Sequence, residues 1–419
     1  MQKKYSKAWV LAVDMGYGHQ RAAFALSHFA AGNKVLSANR YPGIPESDKK
    51  IWDTSRKLYE IISRFKKIPV LGDIVFGIFD KFQEIQEFYP ETHGIELPTL
   101  QLKQIYGFMK RRGWGKHLIE KLNTKPLPLV TTFSAVAFMA EHWGYQGAVW
   151  LVITDTDVAR AWAPLRPADT NIRYCVPTED ASQRLLRYGI SHQNINKTGF
   201  PLPEELTKSA KEMLKSRIVS LDPSCRYRKL YSSLVQSYVG KVSFKTEQQP
   251  LRITFAVGGA GAQNELGKDI AKSLEHLIKD GRVQLNLVAG IRKDAADYFH
   301  THASHANIVF AKTMEEYFET FHKTLEKTDI LWTKPSELVF YAALGIPLIV
   351  APPIGSQEVR NREWLLKIGA GIDQLDPKFT HQWLPDLLEN GNFAQAAMQG
   401  FIEMEREGAE NIRKLVLDP

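Results

Sequence analysis

Residues 11–26, LAVDMGYGHQRAAFAL, place two glycines and a histidine where an apolar strand gives way to a helix. Gly16 and Gly18 permit a tight turn and close backbone approach to a ligand, and the helix expected from about Gln20 offers unpaired N–H groups to an anion. His19 stands in the first turn of that helix. An imidazole there can take a proton from a hydroxyl near neutral pH, or it can cap the helix with no catalytic role.

A second glycine turn, FAVGGAGAQNELGKDI (255–270), follows another apolar run. Gly258, Gly259 and Gly261 leave backbone amides exposed where a helix starts near Gln263, which suits a diphosphate. The loop lacks the Lys-Ser/Thr pair of a Walker A motif and does not spell GxGxxG, so a nicotinamide dehydrogenase is disfavoured. A third stretch, residues 329–371, ends a strand at Thr333 and turns at Pro335 into a helix capped by Ser336, with Glu337 next in line. Farther on, Gln357, Glu358 and Asn361 offer amides and a carboxylate, the mix that sugar hydroxyls need. The plainer alternative makes these residues turn formers and solvated loop. Asp155 and Asp157, in VITDTD, match a DxD metal motif by spelling, but they fall in the wrong half of the chain for a donor-bound metal, and no metal is expected.

These loops must be positioned by strands. Apolar runs at 8–14, 128–133, 148–155 and 172–177 alternate with helical patterns, and a second series runs 251–259, 283–290, 307–312, 329–334 and 347–353. This is the βαβ rhythm of parallel sheets covered on both faces, whose ligands gather at the C-terminal ends of the strands. The class expected is α/β, with two Rossmann-like doubly wound domains facing a central cleft. The expected boundaries are 1–205, with a helical insertion over about 48–120; a helical linker at 206–250; a second domain at 251–390; and a helix at 391–419 that packs back on the first domain.

At 419 residues the chain has room for two cores, and 44% hydrophobic with 24% charged residues is the balance of a folded soluble protein. The net charge of +8 favours anionic partners. The basic residues are dispersed and carry no zinc-finger or RNA-binding spacing, so nucleic acid is set aside. Cys175 and Cys225 form no CxxC or Cys/His cluster, which excludes a disulfide framework and points to a reducing compartment. The N-terminal apolar run ends at Asp14, too short for a signal peptide or a span, so a cytoplasmic location is expected. The segment from Asp48 to Tyr89 is read in two ways. It is a buried insertion between the first two strands, or a surface helix pair over 64–79. In the second reading Arg64, Lys66 and Lys67 meet an anionic membrane surface while Val70, Leu71, Ile74, Phe76 and Phe79 enter it, putting the protein peripherally on the inner face.

GYGHQRAA, VITDTD, VPTEDASQRLLRYGISHQNINKTGFP, GGAGA and TKPSE…ALGIPLIVAPPIGSQEVRN…GAG, in this order over nearly the whole chain, resemble the GT-B glycosyltransferases. That group includes monogalactosyldiacylglycerol synthases, processive diacylglycerol glucosyltransferases and the N-acetylglucosaminyltransferase of lipid II synthesis. The resemblance implies an acceptor domain followed by a donor domain. It puts His19 at the reacting centre, Asp155 and Asp157 on the acceptor side with Gly16 and Gly18, and Asp155 as base or sugar ligand. Gly258, Gly259 and Gly261 would face the donor diphosphate, Ser336 and Glu337 would lie near it, and Gln357 and Glu358 would hold the sugar with Asn361 supporting the loop. Where the family commonly has a glutamate for the nucleotide ribose, this chain has Phe340, with Glu337 three residues earlier as the substitute. Tyr17 and Gln20 replace the small and basic residues usual in the first loop.

The reading that follows is a glycosyltransferase taking a nucleotide diphosphate sugar, UDP-linked by preference, to a hydroxyl of a lipid or small-molecule acceptor. It needs no metal and no cofactor beyond the donor, and the family implies inversion. The alternatives are a non-catalytic protein that binds nucleotide sugar or glycan, and a nucleotide-sugar epimerase or hydrolase.

Overall fold

The structure is a computed structural model that describes residues 4–65, 85–89, 96–242, 249–256 and 263–418, with the side chains of 58–65 left out. The chain divides into two compact units, Met1–Pro203 with Gly355–Arg360 and Glu407–Pro419, and Glu204–Ile354 with Asn361–Arg406.

The first unit holds a six-stranded sheet, β1 (Trp9–Ala12), β2 (Leu36–Ser37), β3 (Leu129–Thr131), β4 (Val149–Val152), β5 (Arg173–Val176) and β6 (Ile195–Lys197). The order is β2-β1-β3-β4-β5-β6, and each pairing is parallel. Successive residues of a strand point to opposite faces, and both faces are covered. Leu11 with Val13 just beyond β1, and Leu151 with Ile153 just beyond β4, enter one core with Trp52, Trp114 and Phe138. Val10, Ala12, Trp150 and Val152 enter the other, which the last helix, Gly408–Leu417, closes with Ala409, Ile412 and Val416. That helix is fixed at both ends: Asn411 Nδ2 donates to the Thr198 carbonyl at 3.0 Å, and the Tyr5 amide donates to the Leu417 carbonyl at 3.0 Å.

The second unit repeats the plan with β7 (Leu251–Ala256), β8 (Val283–Gly290), β9 (Asn307–Phe310), β10 (Ile330–Thr333), β11 (Leu348–Val350) and β12 (Gly371–Asp373). The order is β12-β11-β10-β7-β8-β9, again all parallel. These are two doubly wound parallel α/β bodies, as the strand rhythm predicts. Three strands escaped that rhythm, β2, β6 and β12, each only two or three residues long and each at the edge of its sheet. Because β2 precedes residue 48, the segment from Asp48 to Tyr89 lies between the second and third strands, not the first and second.

In each sheet the order reverses once. The chain leaves β1 for β2 and then crosses back to β3 on the other side, and it leaves β7 for β8 and β9 before returning to β10. At such a point the loops on either side diverge and leave a crevice beyond the strand ends. In the first unit that crevice lies between the loops after β1 and β3; in the second the order reverses between β7 and β10.

Gly408 opens the last helix against the backbone of Phe200, where a Cβ would collide with the Phe200 carbonyl oxygen. Gly408→Ala should therefore destabilise the protein by about 1–3 kcal/mol, the usual cost of overpacking. Urea unfolding measures it, and an unchanged midpoint would show that this helix does not depend on that approach.

Candidate active site

The loop after β1 is built as a tight turn. Gly16 takes φ 78 and ψ 153, a conformation open to glycine, and the helix starts at once at Tyr17 and runs to Ala25. Gly18 is thus helical rather than a second turn residue. His19 is the third residue of the helix, and among the described residues no side chain caps the N-terminus. Gln20 closes the turn: its Nε2 donates to Asp14 Oδ1 at 3.3 Å and to the Gly16 carbonyl at 3.1 Å. Asp14 is held from the far side by Arg40 at 2.7 Å, and its amide donates to Asn39 Oδ1 at 3.0 Å. Asn39 and Arg40 follow β2, so the edge strand brings them here.

Three strand ends meet at His19. From the loop after β3, Thr132 Oγ1 donates to the His19 carbonyl at 2.9 Å, and the Phe133 ring stands edge-on to the imidazole at 5.2 Å between centroids. The Phe133 amide donates to Thr131 Oγ1 at 3.2 Å, which sets the turn that aims the ring. From the loop after β4, Thr154 Oγ1 lies 3.3 Å from His19 Nδ1, and farther along Trp162 contributes a tilted ring at 5.7 Å. Enclosure by these groups lowers the His19 pKa to about 4, against a hydrogen bond with the Thr132 backbone that raises it. At neutral pH the ring is neutral and able to accept a proton.

The two aspartates of VITDTD have different surroundings. Asp155 is half-buried, one residue beyond the threonine that meets His19. Asp157 is fully buried and both its oxygens are engaged, Oδ1 by Arg184 Nε at 3.0 Å and Oδ2 by Arg184 Nη2 at 2.8 Å, with the Val158 amide on Oδ1 at 2.8 Å. Burial pushes its carboxyl up, against the pull of Arg184. An oxygen pair so committed holds the loop rather than a ligand.

In the second unit, Gly258, Gly259 and Gly261 lie outside the described residues, as do residues 66–84, which include most of the proposed 64–79 surface. The helix after that glycine loop, Asn264–Lys279, is described, and no side chain caps its first turn among the described residues. After β10, Ser336 Oγ accepts from the Leu338 amide at 3.5 Å and starts a 3-10 helix, Glu337–Leu344. All eight residues of that helix are buried, Glu337 included. Phe340 packs into the core with its ring 5.7 Å from that of Trp364. Asn361 is buried and donates from Nδ2 to the Pro335 carbonyl at 3.0 Å, which joins it to the Ser336 turn. Gln357 and Glu358 sit in the first turn of the same helix, Ser356–Lys367, but that turn groups with the first unit.

The structure therefore gathers His19 with Gly16, Gly18 and the loop of Asp155, and Ser336 with Glu337 and Asn361. Reading the sequence missed Thr132, Phe133, Thr154 and Trp162 around the imidazole. Their signal was their place at the ends of recognised strands. Asn39 and Arg40 had no signal, because the strand before them was not seen. Among the described residues no group of three or more His, Cys, Asp or Glu could hold a metal ion. None of their helices is long and apolar enough to cross a membrane.

With this geometry in place, comparison with known proteins gives the class first. Over 354 residues, 81% of this chain and 82% of the relative, the protein is 25% identical to a glycosyltransferase of Bacillus pumilus (strain SAFR-032). That relative is named processive diacylglycerol beta-glucosyltransferase, and a second protein of the same name, from Bacillus subtilis (strain 168), is 25% identical over 224 residues, 53% of this chain and 49% of that one. The protein is thus similar to diacylglycerol glucosyltransferases, the group the motifs resemble. Residues 227–326 match the family model described as Domain of unknown function (DUF6938). Among solved structures, MurG of Acinetobacter baumannii aligns over 98% of both chains with 12% identity and a TM-score of 0.48. UDP-GlcNAc 2-epimerase of Neisseria meningitidis, bound to UDP-GlcNAc, aligns over 83% of this chain and 88% of that one with 14% identity and a TM-score of 0.46.

Because the folded protein holds the His19 pKa near 4 while an imidazole's ordinary value is 6.5, the unfolded chain binds this proton more readily. Stability from this group is complete above about pH 6.5 and is lost as pH falls from there toward 4. Urea midpoints between pH 7 and pH 4.5 should fall less steeply in His19→Gln than in the wild type. Parallel curves would mean that the imidazole is not enclosed as described.

Proposed function

We propose that the protein transfers a hexose from a UDP-hexose to the hydroxyl of a diacylglycerol-like lipid, with inversion at the anomeric carbon and with neither a metal ion nor a cofactor beyond the donor. The observation that carries this reading is the neutral His19 at the point where strand order reverses in the first unit. The acceptor O–H would attack the anomeric carbon while His19 takes its proton, and the bond to the diphosphate breaks with its electron pair leaving on UDP. A group with a pKa about 4 is neutral at pH 7, with its lone pair available to that proton. The N-terminus of the helix Asn264–Lys279 is the support for a leaving diphosphate, since its partial positive charge opposes the charge that accumulates there. Asp155 would contact acceptor or sugar, and Asp157 would position that loop through Arg184.

An apolar acceptor would meet Phe108, whose ring is exposed on the helix Leu100–Arg112. The last turn of that helix carries Lys110, Arg111 and Arg112. Cations beside an exposed ring suit an anionic lipid surface, and a peripheral place on the cytoplasmic face of a membrane belongs to this proposal.

A thermal-shift series with UDP, GDP, ADP, TDP and their hexose conjugates tests the donor: saturation at a hundred times the dissociation constant adds about 2.7 kcal/mol of stability. UDP compounds should give the shift. His19→Ala should lower kcat by at least about a hundredfold and leave UDP-hexose affinity unchanged. Wild-type turnover in His19→Ala removes the histidine from the mechanism. Binding without transfer favours the non-catalytic alternative, and UDP release that needs no acceptor favours the epimerase or hydrolase.

A further inference from the structure

Three arginines, two from the helix Glu179–Arg187 and one from the helix Ser356–Lys367, converge on one short stretch, residues 85–89. Arg360 Nη2 donates to the Ile85 carbonyl at 2.9 Å, Arg184 Nη2 to the Gln86 carbonyl at 2.6 Å, and Arg187 Nη1 to the Phe88 carbonyl at 3.1 Å. The side chains join the grip. Arg360 takes both oxygens of Glu87, at 2.9 and 2.7 Å, and holds that carboxyl below its ordinary range. The guanidinium carbons of Arg184 and Arg187 stand 4.2 and 4.5 Å from the centroid of the Phe88 ring. A stretch that is neither helix nor strand must find partners for its carbonyls elsewhere, and here planar guanidinium groups supply them.

The two ends of this network matter for the site. Arg184 also holds Asp157, three residues beyond the Thr154 that meets His19. Arg360 opens the second turn of the helix Ser356–Lys367, two residues beyond Glu358 and three beyond Gln357 in the first. The following residue, Asn361, is tied separately to the Pro335 carbonyl. The first turn is therefore fixed by Arg360, and through residues 85–88 it shares a frame with the loop that carries Thr154 and Asp157. All of these residues except Asn361 and Pro335 belong to the first unit.

We infer that Arg360 is a positioning residue: by gripping residues 85–87 it fixes where Gln357 and Glu358 stand relative to the Thr154–Asp157 loop, and so governs recognition of the sugar rather than of the nucleotide. The sugar part of this inference rests on the donor reading above, while the tie itself does not.

Arg360→Met keeps the length of the side chain and removes its charge and donors. Amide hydrogen exchange over 356–360 and 85–88, followed without ligand, should be faster in Arg360→Met than in the wild type, and unchanged exchange overturns the tie. Calorimetry with UDP and with UDP-hexose then separates the two halves of the donor. Arg360→Met should bind UDP as the wild type does and bind UDP-hexose about tenfold more weakly, the size expected when a charge-assisted contact is lost. Equal UDP-hexose affinity in both proteins, or equal weakening of UDP and UDP-hexose, overturns the positioning role. A wild type that binds no UDP compound overturns the donor reading instead, and the exchange comparison still decides the tie. The reversed pair Arg360→Glu with Glu87→Arg should recover part of the slow exchange that Arg360→Glu alone loses. No recovery would show that the Glu87 ion pair contributes nothing to it.

Discussion

Parallel pairing is the constraint on which the rest of the first unit depends. A strand that runs parallel to its neighbour must deliver its C-terminal loop to the same edge of the sheet, and β1, β3 and β4 do so side by side. His19, Thr132 and Thr154 are separated by up to 135 residues in sequence and meet because of that rule. The reversal of strand order between β1 and β3 adds the crevice, and the burial of both sheet faces makes the strands too rigid to shift it. The same convergence keeps the imidazole neutral: a phenyl ring, an indole and two threonines half-bury it and lower its pKa.

Loops placed by a sheet still need their carbonyls satisfied, and this chain uses buried arginines for that. In the second unit Arg217 donates to the carbonyls of Leu325, Thr328 and Leu344, at 2.8, 2.5 and 2.8 Å. It thereby caps the C-terminal ends of the helix Met314–Lys327 and of the 3-10 helix that begins at Ser336. Burial lowers its pKa to about 10, which leaves it charged at any physiological pH. With Asn361 at one end of the 3-10 helix and Arg217 at the other, the Ser336 turn is held without any ligand. Arg184 and Asp157 serve the first unit in the same way. Preorganised loops of this kind lose little entropy when a substrate binds.

The buried strands and the loops after them were legible because apolar β-rich runs end abruptly at glycine, proline or a polar pair. The edge strands were not: Leu36–Ser37, Ile195–Lys197 and Gly371–Asp373 have too few residues to show a pattern, and one face of each edge needs no apolar partner. Missing Leu36–Ser37 concealed Asn39 and Arg40, and with them the reason for Gln20, whose amide joins Asp14 to Gly16. Long-range ion pairs leave no trace in local spacing. Asp157 reads as a free carboxylate until the fold places Arg184 on it, and nothing near Arg360 announces Glu87, 273 residues away. Phe340 shows the opposite case. It occupies the place of a ribose-binding glutamate in the family that the motifs resemble, and it is apolar because that place lies in the core beside Trp364.

The central claim is that the neutral His19 serves transfer to a lipid hydroxyl. The most direct measurement incubates the purified protein with UDP-glucose and UDP-galactose in turn, in the presence of vesicles containing diacylglycerol, and follows both UDP and the extracted lipids by mass. A glycosylated diacylglycerol should form in step with UDP from one of the two donors. UDP formed at the same rate with and without the lipid, and no change in the lipid fraction, would contradict it.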